Sequence, residues 1–380
     1  MIKLFRTGIV GAGFIGAAHI ENLRRLGTVQ IAALCDSTGA EQKAAALCIP
    51  AFYTDYKQMI DHEQLDAVHI CTPNNTHYEI ARYALEHGVN VLCEKPLTTN
   101  TAEAEELLAL AAKKGLRHGV NFHNRFYPMV HEMKEMVGRA ELGRILSVHG
   151  EYVQDWLLYD TDYSWRLEPR VSGDSRAVAD IGSHWLDTVE TITGYRITRV
   201  FANFATFHPT RKKPLKAVQT YSGASPSPDE YEDVPITTED YAQILFYLEN
   251  GAPGNLTVSQ MFAGKRNDMR IAIAGDKQAL EWNSDRLNEL WIGRRGGFNE
   301  VAVKDPAILS PTTSGMISYP GGHSEGFPDA FKQGFSQFYR SIEDKTGTYD
   351  YATFASGLRE MRLCEAIVAS ARGDRWVDII

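Results

Sequence analysis

Thr7-Gly8-Ile9-Val10-Gly11-Ala12-Gly13-Phe14-Ile15-Gly16 decides how the rest of the chain is read. An apolar run enters this stretch and a helix-length run leaves it. Gly11, Gly13 and Gly16 therefore stand at a strand-to-helix turn with the G-x-G-x-x-G spacing of a dinucleotide-binding fold. Each glycine has a separate task. Gly11 permits the tight turn, Gly13 lets backbone approach a pyrophosphate, and Gly16 lets the helix pack closely while its first N–H groups face the anion. Asp36 follows Gly16 by about 20 residues, at the end of the second apolar run, where a carboxylate accepts hydrogen bonds from ribose hydroxyls. It repels a 2′-phosphate, and no Arg follows in Ser37-Thr38-Gly39, so NAD is expected over NADP. A glycine turn without a ligand and a strand-end turn aspartate are the structural alternatives.

Outward from the turn, short apolar runs alternate with helix formers. Thr7 to Val10, Gln30 to Cys35, Ala67 to Cys71, Asn90 to Cys93 and Arg117 to Asn121 read as strands. Glu41 to Leu47, His77 to Glu86 and Ala102 to Lys114 read as helices, with Gly88 and Gly115 as stops. The first part is thus an α/β Rossmann fold, a doubly wound parallel sheet covered on both faces. After Asn121 a helix at Pro128 to Val137 precedes β-rich runs near Ile145 to Gln154, Val200 to Phe207, Tyr241 to Leu248, Leu256 to Phe262 and Met269 to Ala274. These predict an α/β domain on a large, mainly antiparallel open sheet. Asp329 to Glu343 and Phe354 to Ala371 read as helices before a short strand at Trp376 to Ile379, and Pro209 to Pro235 as a long exposed loop. The expected domains are 1–121, binding NAD, and 122–380, binding substrate and supporting oligomerisation.

At 380 residues, two domains fit the usual size of about 100 to 200 residues each, and two domains imply a cleft. The composition, 44% hydrophobic and 23% charged, is that of a globular protein able to bury a large core. A net charge of -9 without clustered Lys and Arg excludes nucleic acid as the main partner, and Arg211-Lys212-Lys213 reads as a solvated loop. The five cysteines lack paired metal-ligand spacing and read as reduced, mostly buried thiols. The first strand starts within a few residues of Met1, and no apolar run approaches the roughly 20 residues of a membrane span, so a cytoplasmic location away from membranes is expected.

Cys71-Thr72-Pro73-Asn74-Asn75-Thr76-His77 and Cys93-Glu94-Lys95-Pro96 resemble segments of the Gfo/Idh/MocA family, which includes glucose-fructose oxidoreductase and inositol dehydrogenases. The likeness extends through Val120-Asn121-Phe122-His123-Asn124-Arg125-Phe126, Trp165-Arg166 and Asp180-Ile181-Gly182-Ser183-His184-Trp185-Leu186-Asp187. It implies cofactor contacts from Phe14, Ile15, Thr72, Pro73, Asn74, His77, Glu94, Lys95, Asn121, Trp165 and Arg166, besides the glycines and Asp36. Before Asp180 the sequence departs from the family, with Ser172-Gly173-Asp174-Ser175-Arg176 in place of a glycine triplet.

Without the family, Thr72 and Glu94 still end successive strands, where open α/β sheets place their ligands, and Pro96 disfavours helix at Lys95. Asp180, His184 and Asp187 are spaced to share a helix face, where a carboxylate one turn from an imidazole can fix its tautomer and raise its basicity. An N-cap aspartate beside a core-edge histidine has the same spacing. The resemblance implies hydride transfer between a carbinol carbon and NAD. His184 would be the base, Asp180 its partner and a ligand of the substrate hydroxyl, and Lys95 the cation facing the developing alkoxide; the Lys95 and His184 roles can be exchanged. Asp180 and His184 lack the further ligands of a zinc site, so no metal is expected.

Tyr152, Gln154 and Trp156 alternate along a predicted strand, and aromatic faces beside an amide suit a sugar ring as well as ordinary sheet packing. Tyr127, and His323 within the glycine-rich run Pro320 to Phe327, are further substrate candidates. The expected activity is oxidation of a secondary hydroxyl of a sugar, glycoside, anhydrosugar or cyclic polyol by a homodimer or homotetramer. An NAD-recycling glycosidase and a non-catalytic NAD-binding regulator are the competing readings.

Overall fold

Residues 4–215 and 230–379 are described by the computed structural model. They form two compact units that are discontinuous in sequence. The first comprises the chain up to Tyr127 together with Gly326–Met361, and the second Pro128–Glu325 together with the chain from Arg362.

The first unit follows the predicted alternation: β1 (Phe5–Val10), α1 (Phe14–Arg24), β2 (Val29–Cys35), α2 (Ala40–Ala46), β3 (Ala51–Tyr53), α3 (Tyr56–His62), β4 (Ala67–Ile70), α4 (His77–Glu86), β5 (Asn90–Cys93), α5 (Thr101–Lys114) and β6 (His118–Val120). Its six strands are parallel in the order β3-β2-β1-β4-β5-β6. The winding reverses between β1 and β4, and such a switch point leaves a crevice at the strand ends. Ile80, Ala84, Leu107 and Ala111 of α4 and α5 pack in one apolar cluster with Val68, Val91 and Phe354. On α10 (Phe327–Glu343), Phe331, Phe335, Phe338 and Tyr339 fall at helical spacing and are buried, and Phe335 meets the rings of His19 and His69. That apolar stripe ties α10 to the first unit, although chain order alone assigns it to the second domain.

The second unit contains α6 (Pro128–Gly138), β7 (Ile145–Val153), α7 (Pro169–Ser172), α8 (Ser183–Thr193), β8 (Ile197–Ala205), β9 (Thr210–Pro214), β10 (Tyr231–Pro235), β11 (Tyr241–Leu248), β12 (Pro253–Ser259), β13 (Asp268–Gly275), β14 (Ala279–Asn283), β15 (Glu289–Gly293), β16 (Glu300–Val303), α9 (Pro311–Ser314) and β17 (Val377–Asp378). The last helix, α11 (Phe354–Gly373), contains the boundary between the units. Nine strands form a sheet ordered β16-β15-β14-β13-β7-β12-β11-β8-β17, antiparallel except where β7 runs beside β12. One face is apolar, through Val148, Ile244, Phe246, Val258, Ile271 and Trp282. Trp185 of α8 packs its ring near Phe246 and donates its indole N–H to the Arg270 carbonyl at 2.7 Å. A Cβ on Gly150 would lie 2.2 Å from that carbonyl oxygen, so only glycine fits there.

The expected loop from Pro209 to Pro235 is in part an antiparallel hairpin of β9 and β10, while 216–229 lies outside the described residues. Arg211 is correspondingly not solvated but fully buried. It donates to the carbonyls of Leu157, Tyr159 and Asp162 and to Asp240, partners too far along the chain to be read from Lys212 and Lys213 beside it. Cys35, Cys71, Cys93 and Cys364 are buried and Cys48 is exposed, and none of them is disulfide-bonded. Among the described residues no helix is long and apolar enough to cross a membrane.

Candidate active site

The turn after β1 is built for a close approach. Gly11 adopts a φ of 90°, and a Cβ on it would stand 2.7 Å from the Cys71 carbonyl oxygen. A Cβ on Gly16 would lie 2.1 Å from the Gly11 oxygen, so α1 can pass this turn only without a side chain there. At Gly13, by contrast, an added Cβ meets nothing within 4 Å, and this open backbone caps α1 without a side-chain hydrogen bond. No acidic residue occupies the first turn of α1, whose N–H groups and positive dipole end suit a pyrophosphate. Phe14 is exposed and Ile15 half-buried at the same helix start. These residues fit a dinucleotide.

Asp36 lies just beyond β2. One carboxylate oxygen accepts from the Ala12 N–H at 2.8 Å and pairs with Lys43 Nζ at 2.8 Å, and the other accepts from the Thr38 N–H at 3.0 Å. Burial raises its pKa, but Lys43 and the two backbone donors outweigh burial and hold it below the ordinary 3.8.

Beyond β4 and β5, His77 fastens two loops. Its ring nitrogens face the Pro96 carbonyl at 2.8 Å and the Thr72 carbonyl at 2.9 Å, joining Thr72-Pro73-Asn74 to Glu94-Lys95-Pro96. The Lys95–Pro96 peptide is cis, and Lys95 is half-buried. Glu94 is buried and accepts from Asn121 Nδ2 at 2.6 Å and from the Lys95 N–H at 3.2 Å. The oxygen that accepts from Asn121, Oε1, also lies 2.9 Å from His19 Nε2, whereas the Lys95 N–H reaches Oε2. Burial opposes ionisation of Glu94, yet His19, Asn121 and the charge of Lys95 bring its pKa down to about 2. Behind Glu94 the chain continues through His19 Nδ1 to His69 Nδ1 at 2.8 Å, His69 Nε2 to Tyr339 Oη at 3.0 Å, and Tyr339 Oη to Thr7 Oγ1 at 2.7 Å. An ionised Glu94 only accepts, so with one N–H on each imidazole the chain has a single direction: Thr7 donates to Tyr339, Tyr339 to His69, His69 to His19, and His19 to Glu94. His19, His69 and Tyr339 carried no motif, and only the oddity of a histidine inside an apolar strand hinted at His69. Tyr127 is buried, which pushes its phenol pKa up.

In the second unit, Asp180 sits in a single π-helical turn, Val178–Gly182, that runs directly into α8. Such turns widen a helix locally and recur at functional positions. Arg166 Nε donates to Asp180 Oδ1 at 3.3 Å, and Gln260 Nε2 donates to Oδ2 at 3.0 Å. The Arg166 guanidinium also covers the Trp165 ring at 4.4 Å and approaches that of Trp156 at 6.0 Å. His184 and Asp187 are buried one and two turns on, with the His184 ring 6.5 Å from that of Tyr152. Tyr152 and Gln154 both donate to Asn267 Oδ1, at 2.9 and 2.7 Å, and Gln154 Oε1 accepts from Trp156 Nε1 at 2.7 Å. Of the three only Tyr152 lies within β7, which ends at Val153, and hydrogen bonds rather than strand alternation link Gln154 to Trp156 and, through Asn267, to Tyr152. His323 is exposed on a loop pinned from below by buried Lys304, which donates to the carbonyls of Tyr319, Pro320 and His323 and to Glu325. Gln260, Asn267, Arg176 and Lys304 were not legible beforehand, because their partners lie on other elements. Among the described residues no three His, Cys, Asp or Glu side chains group as metal ligands.

Known proteins match along the whole chain. A sequence model described as an oxidoreductase family with an NAD-binding Rossmann fold matches residues 5–122, and one for the Gfo/Idh/MocA C-terminal domain matches residues 130–281. Levoglucosan dehydrogenase of Pseudarthrobacter phenanthrenivorans is 28% identical, over 98% of this chain and 97% of its own. The crystal structure of an oxidoreductase domain protein from Kribbella flavida is 30% identical, covers both chains fully and superposes with a TM-score of 0.88. An inositol dehydrogenase homolog from Azotobacter vinelandii, complexed with NAD+, is 26% identical over 99% of this chain and 97% of its own, with a TM-score of 0.87.

Proposed function

The chain belongs to the Gfo/Idh/MocA oxidoreductases with an NAD-binding Rossmann domain, and on that premise we propose that it reversibly oxidises a secondary hydroxyl of a sugar, glycoside, anhydrosugar or cyclic polyol. The observation that carries this reading is the end-to-end likeness to levoglucosan dehydrogenase, which spans the segments bearing the glycine turn, Lys95, Asp180 and His184. NAD, when bound, supplies the hydride acceptor. The protein's task is then to hold the hydroxyl oxygen and remove its proton as the carbinol carbon is oxidised.

We assign proton removal to His184, with Asp180 orienting it and accepting from the substrate hydroxyl, and stabilisation of the developing alkoxide to Lys95. Exchanging the roles of Lys95 and His184 conserves the same proton balance. Asp36 favours NAD over NADP through its negative charge, and the paired Lys43 softens that preference. Of the residues assigned to the sugar ring, Trp156 and His323 keep accessible surface, whereas Tyr127 and Gln154 are buried. The exposed Leu245, Tyr247 and Trp291 support our reading that the open face of the nine-stranded sheet serves self-association as a dimer or tetramer. Four buried cysteines outside any disulfide accord with work in the reducing cytoplasm.

The test is a screen of purified protein with NAD against monosaccharides, glycosides, levoglucosan and inositols, following NADH absorbance. Stoichiometric NADH from one ring class is expected. Glycoside cleavage without net NADH would replace this reading by NAD-recycling hydrolysis, and NAD binding without turnover on any member would favour a regulator.

A further inference from the structure

We propose that Gln260 is a positioning residue for Asp180, locked in one amide orientation by the buried guanidinium of Arg176. The inference rests on the role assigned above to Asp180, and it concerns side chains of the second unit alone.

Arg176 and Gln260 are fully buried. Arg176 Nη1 donates to Gln260 Oε1 at 3.0 Å, and its Nη2 pairs with Asp240. A guanidinium has only donors, so it must face the amide oxygen and never the amide NH2. The Gln260 amide is thereby turned so that Nε2 points the other way, onto Asp180 Oδ2 at 3.0 Å. Reversing the amide would set N–H against N–H at one end and oxygen against a carboxylate at the other.

Arg176 is itself immobilised. Asp240 is shared with Arg211 Nη2 at 2.9 Å and accepts from the Phe207 N–H at 2.6 Å and the His208 N–H at 3.3 Å. Glu239, beside it, accepts from the Ser175 hydroxyl at 2.8 Å and from the backbone N–H groups of Arg176 and Val178, each at 2.9 Å. Two guanidiniums and two carboxyl groups are thus buried behind one neutral amide. A buried ion cluster of this kind is expensive, and well-packed apolar side chains of similar volume usually stabilise a fold as well or better. An amide held with its N–H group on Asp180 is something an apolar core cannot provide. On the opposite edge of Asp180 stands Arg166, also a donor. Flanked by these two donors, the Asp180 carboxylate is presented as a hydrogen-bond acceptor, and proton transfer falls to another group.

Gln260→Glu tests this in the full-length protein, because it conserves size and the acceptor for Arg176 while replacing the donor that faces Asp180. With levoglucosan, or another panel sugar that yields NADH, kcat should fall about ten-fold or more at neutral pH while KM for NAD stays within about two-fold. Because acid also titrates the proposed base His184, the readout is the ratio of variant to wild-type turnover, which should rise on acidification as the introduced carboxyl gains a proton it can donate to Asp180. Arg176 and Asp180 face this position directly, Asp240, Arg211 and Glu239 stand behind Arg176, and Arg166 stands on the far side of Asp180. A readout independent of substrate is the unfolding midpoint. Asp180→Asn should raise it in the Gln260→Glu background, where two carboxylates otherwise oppose each other, and not in the wild type. If Gln260→Glu does not fold, Gln260→Met removes the same donor without adding charge and is read by the same split between kcat and KM. Slow turnover in Asp180→Asn with wild-type turnover in the Gln260 variants overturns this inference alone, as does an equal change in midpoint in both backgrounds. Wild-type turnover in Asp180→Asn overturns the reading of Asp180, and this inference with it.

Discussion

Each unit buries a chain of polar side chains behind a residue of the candidate site, and the two chains are made from opposite chemistry. Behind Glu94 stand His19, His69, Tyr339 and Thr7, groups that can each donate or accept. Behind Asp180 stand Gln260, Arg176, Asp240 and Arg211, where the guanidiniums can only donate. The first chain takes its direction from the charge at its end. Protonating Glu94 would allow every hydrogen bond behind it to reverse. The second cannot reverse, because no guanidinium can become an acceptor. A titratable support thus lies beneath the loop that carries Lys95, and a permanently polarised one beneath Asp180.

The largest effects are expected at Lys95, next to Glu94, and at His184, one helical turn from Asp180. Lys95→Ala or His184→Ala should cut kcat by about a thousand-fold while NADH affinity, read by fluorescence titration, stays nearly intact. Normal turnover in both would remove the functional meaning of the comparison.

Next come the supports. Asp240→Asn leaves two buried guanidiniums without their counter-ion and should cost about 3–5 kcal/mol in denaturant unfolding. Glu94→Gln disturbs a chain that can re-sort its protons and should cost about 1–3 kcal/mol. The reverse order would break the distinction between fixed and adaptable chains.

Asp36→Ala sharpens the comparison on the cofactor side. It should shift the ratio of kcat/KM for NAD over that for NADP by about ten-fold toward NADP, and an unchanged ratio would refute its ribose role.

The smallest effect is in pH dependence. Burial lowers His118 and His123 from 6.5 to about 4 and about 3, so the folded state keeps them neutral while the unfolded state takes up protons. Folded pKa values depressed in this way mean stability that is present above pH 6.5 and is lost as pH falls toward those values. His118→Gln, which keeps an acceptor for the Phe354 N–H, should flatten the decline between pH 6.5 and 4; an unchanged slope would place the proton uptake elsewhere.

Legibility in the sequence followed the distance between partners. The glycine turn and Asp36 are separated by one strand and its helix, and α4 and β11 begin and end where hydrophobic period and stops place them. Partners far apart in the chain left no such trace. Arg211 reads as solvated beside Lys212 and Lys213 because Asp240, its counter-ion, lies on another element. The β9–β10 hairpin reads as loop because Pro, Lys and acidic residues suppress the strand pattern, and β14 to β16 are too short to show alternation. Helix α10 returns to the first unit through an aromatic stripe whose helical period was visible but whose destination was not. At the candidate site, Asp180 and His184 were visible as a spaced pair, while Gln260 sits 80 residues away from Asp180 and belongs to no motif.

The central claim, hydride transfer from a secondary ring carbon, is tested most directly by isotope transfer. Panel sugars deuterated at individual ring carbons are incubated with the protein and NAD, and the NADH formed is weighed by mass spectrometry. The account predicts deuterium in NADH from one secondary C–D position, with slowed turnover for that isotopologue alone. NADH that never carries the label, or label only from an anomeric or primary carbon, would contradict it.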